Sequence, residues 1–508
     1  MPLPSPPSHQ ELAVLAAVCL AALILPLSFS AGAIATPAIG RDLAGSATML
    51  MWITNAFMLT FGGLLMVAGA LADRIGRKRV FLTGVGLFTL ASLALSAAPS
   101  MLAIDLLRGM QGVAAAAALS GGSAALAQAF GGAARTRAFS LLGTTFGIGL
   151  AFGPILAGLL IQSLGWRAIF LVTALIASAA FLLGRAWMRE TTAPGTSALD
   201  WPGGVSFTAA LSLFTFAVIQ APVAGWTDPL TLIPLGLSLF SLVAFCWIEI
   251  HAAQPMLDLT LFRYPRFVGV QLLPIATCYG FVVLLVLLPL RFIGIEGRSE
   301  TATGLLMLAM SGPMVIVPSI AATLTRWFSA GVISGCGLLM AAAGLLWLGH
   351  IAPGGNPVPA MLVIGLGTGL PWGLMDSLSV SVVPTERAGM AAGIFGTTRV
   401  AGEGLALAMV GALLAWLLQR EMAFVLPSMA ATAFAAQRLA MGDLMQASIL
   451  LPGMAQARLL QAYTQGFATL THVLAAITGL SALASFGLLN RASEANEHQP
   501  DLQATAVE

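Results

Sequence analysis

The stretch GALADRIGRKRVFL, from Gly69 to Leu82, places five charges between two long apolar segments. Four of these charges are basic, on Arg74, Arg77, Lys78 and Arg79. Short loops between membrane-spanning helices concentrate Lys and Arg on the cytoplasmic side of the membrane. The stretch therefore predicts a loop between two spanning helices, and it also predicts which side of the membrane that loop occupies.

The composition of the whole chain agrees with a membrane protein. Of the 508 residues, 58% are hydrophobic and 8% are charged, whereas an ordinary soluble domain is roughly 25% charged. The net charge of +2 gives no reason to expect a nucleic-acid partner. The four cysteines lie inside apolar segments without the paired spacing of a metal or redox motif. We expect an all-α polytopic membrane protein in the lipid bilayer, with no cofactor and no metal.

Apolar segments long enough to cross a bilayer as helices occur about fourteen times along the chain. Most connections between them are short, as expected for antiparallel neighbours. The exception is a moderately apolar segment at 419–466, which we expect to be an external loop, partly helical at the membrane surface. The predicted spans lie near 12–38, 49–71, 80–99, 101–128, 138–162, 167–188, 203–220, 230–250, 267–293, 301–324, 331–351, 358–383, 388–418 and 467–490.

The orientation of the chain follows from the basic residues on alternate loops. The side that bears the opening stretch has 13 Lys and Arg residues, and the opposite side has 7, three of them in the long segment. Since basic loops stay in the cytoplasm, we expect both termini to be cytoplasmic. A bacterial inner membrane is the expected location, and a monomer is the expected state.

Two weak internal repeats suggest related halves. The basic loop after the second span has a degenerate counterpart, Thr323 to Gly331, after the tenth, and Gly153-Pro154 in the fifth span has one in Gly312-Pro313. Transporters are commonly built from such repeats, with the substrate site between them. We expect a six-helix bundle at 1–190, an inserted helix pair at 191–255, a second six-helix bundle at 256–490 that includes the loop 419–466, and a polar tail at 491–508.

Besides the opening stretch, the chain contains a fourth-span motif that begins at Arg108, a glycine-proline motif in the fifth span, and the segments GWRAIFLV (Gly165 to Val172), LDWPGG (Leu199 to Gly204) and PMLDLTLFR (Pro255 to Arg263). Together these motifs resemble the major facilitator superfamily, and the last three segments resemble its fourteen-helix drug:proton antiporter branch. The opening stretch resembles the superfamily's loop signature, with Gly69, Asp73, Arg74, Gly76, Arg77 and Lys78 at the matching positions. Arg108, Gln111 and Gly112 are similar to its fourth-helix Arg-x-x-Gln-Gly motif. The fifth-helix antiporter motif is matched by Gly149, Gly153, Pro154 and Gly158, with Ala157 where a glycine is usual.

The resemblance implies a role for each of these motifs. Asp73 would accept hydrogen bonds at the start of a helix near Ala388 and hold the cytoplasmic side shut; the alternative is that the basic residues only keep the loop in the cytoplasm. The fifth-helix glycines would keep the closed state free of leak, or they serve close helix packing. Arg108 would take part in proton transfer.

Ionisable residues inside the spans are functional candidates by default, because burying a charge in a bilayer is costly. Asp105 and Arg108 are three residues apart and can pair, and Arg399 and Glu403 are four apart and can do the same. Asp376 has no basic neighbour within a turn of its own helix. Asp105 and Glu403 are each either a functional site or a member of a structural ion pair. Asp376, expected to be unpaired, is either a proton site or a polar contact near the cytoplasmic end, and the interpretations stay open. Glu249, near a helix end, is expected to be a solvated interfacial residue.

One position departs from the antiporter branch. Counting back from Pro37, Ser28 stands where that branch usually has an aspartate in its first helix. The departure puts in doubt both the usual coupling chemistry and a preference for cationic drugs, and it moves attention to Asp105, Asp376 and Glu403. With Ser28 and Gln111, Trp372 and Phe395 are the residues expected to line a central cavity.

We therefore expect a secondary active transporter that exports small amphipathic or drug-like molecules in exchange for protons. An alternative is export of an endogenous metabolite, a lipid-like compound or a siderophore, and a less favoured one is a non-transporting sensor. The sequence has no GxxxxGK[ST], Gly-x-Ser-x-Gly or HExxH motif, so neither an ATP-driven pump nor an intramembrane enzyme is expected.

Overall fold

The computed structural model describes residues 8–192, 200–252, 255, 257, 259–383, 388–423, 429–452 and 454–490. Within these ranges, fourteen helices are long and apolar enough to cross a membrane. We number them α1 to α14 in chain order: His9–Leu43, Ala47–Ile75, Arg77–Ser96, Met101–Ala129, Gly132–Leu164, Arg167–Trp187, Trp201–Ala224, Pro229–His251, Pro265–Ile295, Glu300–Leu324, Ala330–Gly349, Val358–Ser381, Ala388–Ala423 and Gln456–Leu489.

The fourteen-helix, all-α prediction is confirmed, and the main difference lies in the long segment. The fourteenth helix begins at Gln456 rather than near 467, and α13 continues to Ala423. Two short helices between them, Met429–Ala440 and Leu444–Leu450, are called the cap helices here. We call the end of the bundle that carries them the cap face, and the opposite end, which carries the Gly69–Leu82 connection, the motif face.

Polar side chains at the helix starts explain several of the observed boundaries. Ser8 and Glu11 form a complete capping box at the start of α1. At seven later helix starts among the described residues, a Ser or Asp side chain accepts a hydrogen bond from a backbone N–H that would otherwise lack a partner. These residues are Ser46, Ser100, Asp200, Asp228, Ser299, Ser329 and Asp443.

The helices pack most extensively in two groups. In the first six helices, α4 packs against α2 and α3, and α1 packs against α5 and α6; among the last six, α11 packs against α12 and α14. The two groups meet where α2 contacts α13 and where α5 contacts α10. Helices α7 and α8 pack against each other, and α7 also contacts α2 and α13. The predicted division into bundles with an inserted pair stays a prediction that this packing favours, and the tail 491–508 lies outside the described residues.

Helix α9 departs from regular α-helical geometry at two places. Turns of π-helix occupy Cys278–Val282 and Leu290–Ile295. Pro274 and Pro289 lie close before them, and each removes a backbone hydrogen-bond donor from the helix. Such π-turns occur frequently at functional sites. The first of them lies against the middle of α13, because the thiol of Cys278 lies 3.9 Å from the carbonyl oxygen of Gly402.

A carboxylate from the α6–α7 connection holds the start of α3 in place. Glu190 accepts hydrogen bonds from the backbone N–H groups of Lys78 and Arg79, at 3.1 and 3.2 Å. The positive end of the helix dipole also stabilises the negative charge of Glu190 at this position. Gly76 precedes α3 with a φ of 119°, and a side chain at this glycine would overlap the Glu190 carboxylate. The charged loop is therefore fixed by a residue 111 positions away from Arg79.

We expect Glu190→Ala to lower the thermal stability of the detergent-purified protein. Loss of a helix cap costs about 0.5–2 kcal/mol, and here two N–H groups lose their acceptor together. Arg189→Ala is the matched control, because Arg189 is exposed and adjacent. Equal melting temperatures for the two variants in a fluorescence unfolding assay would contradict the capping role.

Candidate functional site

A charged cluster lies near the middle of α13 and reaches across to α12. The guanidinium of Arg399 lies 3.7 Å from the Glu403 carboxylate and 3.6 Å from the Asp376 carboxylate. It also stacks over the ring of Trp372, 4.4 Å from its centroid, and lies 6.0 Å from the Phe146 ring centroid. We call these five residues the Arg399 site. The arrangement places one cation between two acids and two aromatic rings.

The two carboxylates of the Arg399 site differ in exposure. The Glu403 side chain is 12% exposed, whereas that of Asp376 is 64% exposed. The expected pairing of Arg399 with Glu403 is observed. Asp376 was expected to stand without a basic partner, and that expectation was wrong, because Arg399 reaches it from a different helix. A buried acid and a solvated acid thus share one guanidinium, so a change of charge at either acid alters the attraction that Arg399 has for the other.

A second polar cluster surrounds Arg108, whose side chain is completely buried among the first six helices. Its Nε donates to the carbonyl oxygen of Ile53 at 2.8 Å, and its Nη1 donates to Ser28 and to Gln111, at 2.9 and 2.8 Å. Gln111 in turn donates to Ser92 at 2.7 Å. The guanidinium also lies 4.5 Å from the Phe57 ring centroid. Every hydrogen-bond acceptor that the described residues give Arg108 is therefore neutral.

The predicted ion pair between Asp105 and Arg108 is absent from the described contacts. The Arg108 guanidinium points toward α1 and α2, where the Ile53 carbonyl oxygen and the Ser28 hydroxyl oxygen accept hydrogen bonds from it. Among the described residues, the buried Oδ1 atom of Asp105 and the buried Nη2 atom of Arg108 have no hydrogen-bond partner. Buried polar atoms without partners are uncommon and call for a reason, such as an ordered water molecule or a functional role. The two residues share a helix face and attract each other electrostatically, but no described hydrogen bond or ion pair joins their side chains.

The expected cavity residues divide into two kinds. Ser28 and Gln111 are buried partners of Arg108, and Trp372 is 9% exposed and stacks on Arg399. Phe395 is 3% exposed and belongs to the main apolar core. Glu249 is not a solvated interfacial residue as expected, because it is 4% exposed and accepts a hydrogen bond from the backbone of Leu257.

The described contacts of the charged loop lie within the first six helices and the connection that follows α6. Arg77 donates from Nε and Nη2 to the Asp73 carboxylate, at 3.1 and 2.9 Å, and it also hydrogen-bonds Gln128. Lys78 donates to the carbonyl oxygens of Arg185 and Met188 at the end of α6. The expected latch partner follows residues 384–387, which lie outside the described residues. The latch between Asp73 and the start of α13 stays a prediction.

Small residues bring α5 close to α1 and α10. A side chain at Gly149 would meet Pro26, and one at Gly153 would meet Ser30, both in α1. Nearer the cap face, a side chain at Gly158 would overlap the backbone carbonyl of Glu300 at the start of α10, and one at Gly304 would lie 2.6 Å from the Pro154 carbonyl oxygen. Helix α10 therefore has two close backbone approaches to α5.

Polar contacts also join the two helix groups at the cap face. Arg41 in α1 pairs with Glu300 in α10 at 2.9 Å. From the first cap helix, Arg438 donates to the Gly45 carbonyl oxygen at 2.8 Å, and Gln437 donates to Thr48 at 3.2 Å. Beneath these contacts lies a cavity of about 40 Å³ between α1, α2, α9, α13 and the cap, which is room for a few water molecules at most. These contacts connect the two helix groups at the cap face.

Some residues of these clusters had no clear signal in the sequence. Ser92 joins the Arg108 cluster from α3, and Phe146 joins the Arg399 site from α5. Each is brought to its cluster only by the packing of helices. Glu190 follows α6 directly, and an acid beyond a helix end is too common to be informative alone. Within the described ranges, no group of three or more His, Cys, Asp or Glu residues is placed to hold a metal ion.

Comparison with known proteins gives the family. The model of the Major Facilitator Superfamily matches residues 18–407. The multidrug resistance protein Stp of Mycobacterium tuberculosis (strain CDC 1551 / Oshkosh) is 32% identical over 392 residues, which cover 76% of this chain and 72% of Stp. The cephamycin export protein CmcT of Amycolatopsis lactamdurans is 32% identical over 402 residues, which cover 77% of this chain and 82% of CmcT.

A solved structure agrees with the fold. A bacterial homologue of the human lysosomal transporter Spinster, in an inward-facing and unoccupied conformation, superposes with a TM-score of 0.66 and 16% identity, over 95% of this chain and 98% of that one. The family match supports transport rather than an enzyme activity, and the fourteen apolar helices make this a multi-pass membrane protein. The chain belongs to the Major Facilitator Superfamily and is a transporter.

Proposed function

We propose that this protein exports small amphipathic, antibiotic-like molecules in exchange for protons. The observation that carries the proposal is Glu403, a carboxylate that is 12% exposed near the middle of a spanning helix and 3.7 Å from the Arg399 guanidinium. An intramembrane acid in this setting is a candidate proton carrier, because apolar surroundings favour its neutral form while a nearby cation favours its charged form. A carboxylate under these opposing influences can take up and release a proton during a transport cycle.

The class of substrate is inferred from the relatives. Stp is named for multidrug resistance and CmcT for cephamycin export, and other relatives near 30% identity are named for resistance to or export of tetracenomycin C and puromycin. Two of these names state export, of tetracenomycin C and of cephamycin, and the other two state resistance, to multiple drugs and to puromycin. By similarity, we infer outward transport of such compounds here.

The orientation that we propose places the motif face in the cytoplasm. The 13 Lys and Arg residues of that side, against 7 on the cap side, favour it. The contacts of Arg41, Gln437 and Arg438 then close the external side. Asp376, which is 64% exposed, would be accessible from the cytoplasm. We assign the arrangement to an inward-facing monomer in a bacterial inner membrane.

The proposed cycle follows from these positions. Substrate enters from the motif face while Glu403 is charged and attracted to Arg399. The contacts at the cap face then break, the helix groups rock, and substrate leaves on the outside as Glu403 takes up a proton. The helix groups rock back, and Glu403 releases the proton to the cytoplasm and is charged again. One charge that moves through about 100 mV contributes about 2.3 kcal/mol, and each tenfold concentration gradient needs about 1.4 kcal/mol. One net inward charge per cycle therefore sustains a gradient of about fiftyfold.

The test uses purified protein in proteoliposomes with an imposed pH gradient and a panel of antibiotic-like compounds. We expect transport of some of these compounds to accelerate with the gradient and to stop when a protonophore dissipates it. Asp105→Asn, which lies outside the Arg399 site, should lower gradient-driven transport by no more than about threefold, because Glu403 carries the proton. A transport rate that does not depend on the pH gradient would exclude proton coupling. If no compound of the panel were transported, export of antibiotic-like molecules would be excluded.

A further inference from the structure

The Arg399 site has the chemistry of an organic-cation site, yet the protein fills it with its own cation. The face of Trp372 lies 4.4 Å from the guanidinium carbon, and Phe146 lies 6.0 Å from it. Phe281 meets Trp372 edge-on, with ring centroids 6.2 Å apart, and limits the positions open to the indole ring. Aromatic faces combined with carboxylates are how proteins recognise ligand cations such as quaternary ammonium groups.

Among the described residues, the guanidinium is held by charge and stacking rather than by tight hydrogen bonds. Its nearest distances to Asp376 and Glu403 are 3.6 and 3.7 Å, longer than the 2.7–2.9 Å or so of a charge-assisted hydrogen bond. A tethered group nevertheless competes at an effective concentration on the order of millimolar. A cationic substrate at micromolar concentration would therefore seldom displace Arg399.

The other polar cluster of the bundle offers a cation no better partner. Arg108 is fully buried, and its described acceptors are the Ile53 carbonyl, the Ser28 hydroxyl and the Gln111 amide, all of them neutral. The Asp105 carboxylate makes no described hydrogen bond to it. A cation that enters the bundle thus meets a second positive charge, which the described residues offset only by the electrostatic attraction of Asp105.

We propose that Arg399 is a specificity-determining residue that excludes organic cations and selects uncharged or acidic aromatic substrates. Such a substrate stacks on Trp372 beside the guanidinium, and its acidic group accepts hydrogen bonds from the Arg399 N–H groups that the carboxylates leave unused. This inference rests on the proposed export function and names the substrate class of the same protein.

The test compares two xanthene dyes that share a ring system and differ in charge, cationic rhodamine 123 and anionic fluorescein. Downhill exchange from preloaded proteoliposomes, without a pH gradient, separates the choice of substrate from proton coupling. We expect Arg399→Gln to raise rhodamine 123 exchange by at least about tenfold and to lower fluorescein exchange. Arg399→Lys keeps the cation and should leave rhodamine 123 exchange within about twofold of the wild type.

A double variant separates an effect on substrate choice from an effect on folding. Removal of Arg399 alone leaves Glu403 buried without its cation, which is destabilising. Arg399→Gln combined with Glu403→Gln removes the pair and keeps Asp376, so we expect it to fold and also to gain rhodamine 123 exchange. Folding is checked by monodisperse elution in detergent.

Two results would overturn the inference. One is wild-type exchange of rhodamine 123 as fast as that of fluorescein, and the other is no gain of rhodamine 123 exchange in a folded variant that lacks Arg399. Either result leaves the proposed function standing if compounds of the antibiotic panel still move with the pH gradient. Failure of the whole panel, by contrast, would remove the proposed function itself.

Discussion

Glu403→Gln is expected to lower the rate of pH-driven export at least about tenfold, which corresponds to about 1.4 kcal/mol. Glutamine keeps the size of the side chain and remains neutral, so it cannot take up and release a proton. Substrate exchange without a gradient should continue, because exchange needs binding and rocking but no change of charge. The measurement is the ratio of gradient-driven to exchange rates in proteoliposomes.

Glu421→Gln is the matched control for this prediction. Glu421 lies on the same helix, 18 residues further along, which is about 27 Å at the helical rise. The same chemical change is thus made near the cap face and away from Arg399, and we expect gradient-driven export to persist. If Glu403→Gln kept wild-type coupling, the proton would have to be carried by another acid, such as Asp376 or Asp105.

The fold could be predicted from the sequence because the bilayer imposes one length on every spanning helix. Fourteen apolar segments gave fourteen helices with small errors at the ends. The start of the last helix was the exception, placed near 467 rather than at Gln456. The first turns of that helix combine Arg458 with other polar side chains, and hydropathy alone does not distinguish such a helix from a loop.

The candidate site was only partly predictable, and the reason is geometric. Arg399 and Glu403 lie on one helix, so their spacing alone brings their side chains together. The pairing of Arg399 with Asp376 depends on the register between two helices, which the sequence does not report. For Asp105 and Arg108 the spacing was misleading, because the guanidinium found acceptors on α1 and α2.

Loose ion pairing at the Arg399 site suits a group that must change its charge. A tight bidentate pair would hold Glu403 charged throughout the cycle. At 3.7 Å the attraction is weaker, and the second acid offers Arg399 another partner when Glu403 is neutral. The same guanidinium thus serves proton exchange through Glu403 and substrate choice through Trp372.

Gly158→Ala is expected to destabilise the protein and to impair export. The added methyl group would overlap the backbone carbonyl of Glu300, and backbone cannot yield as a flexible side chain would. Overpacking of this kind costs about 1–3 kcal/mol. The contact lies beside the ion pair of Arg41 with Glu300, so the change should also push α5 and α10 apart where the cap face closes. We expect a lower melting temperature and at least about a tenfold slower export.

Gly143→Ala, on the same helix, is expected to have the opposite effect on stability. A side chain there meets nothing within 4 Å, and alanine favours a helix over glycine by up to about 1 kcal/mol. The melting temperature should therefore stay the same or rise, while the chemically identical change at Gly158 lowers it. Equal shifts at the two positions would show that α5 responds to helix propensity alone. Opposite shifts would establish that the close approach of α5 to α10 is a stabilising contact of this conformation.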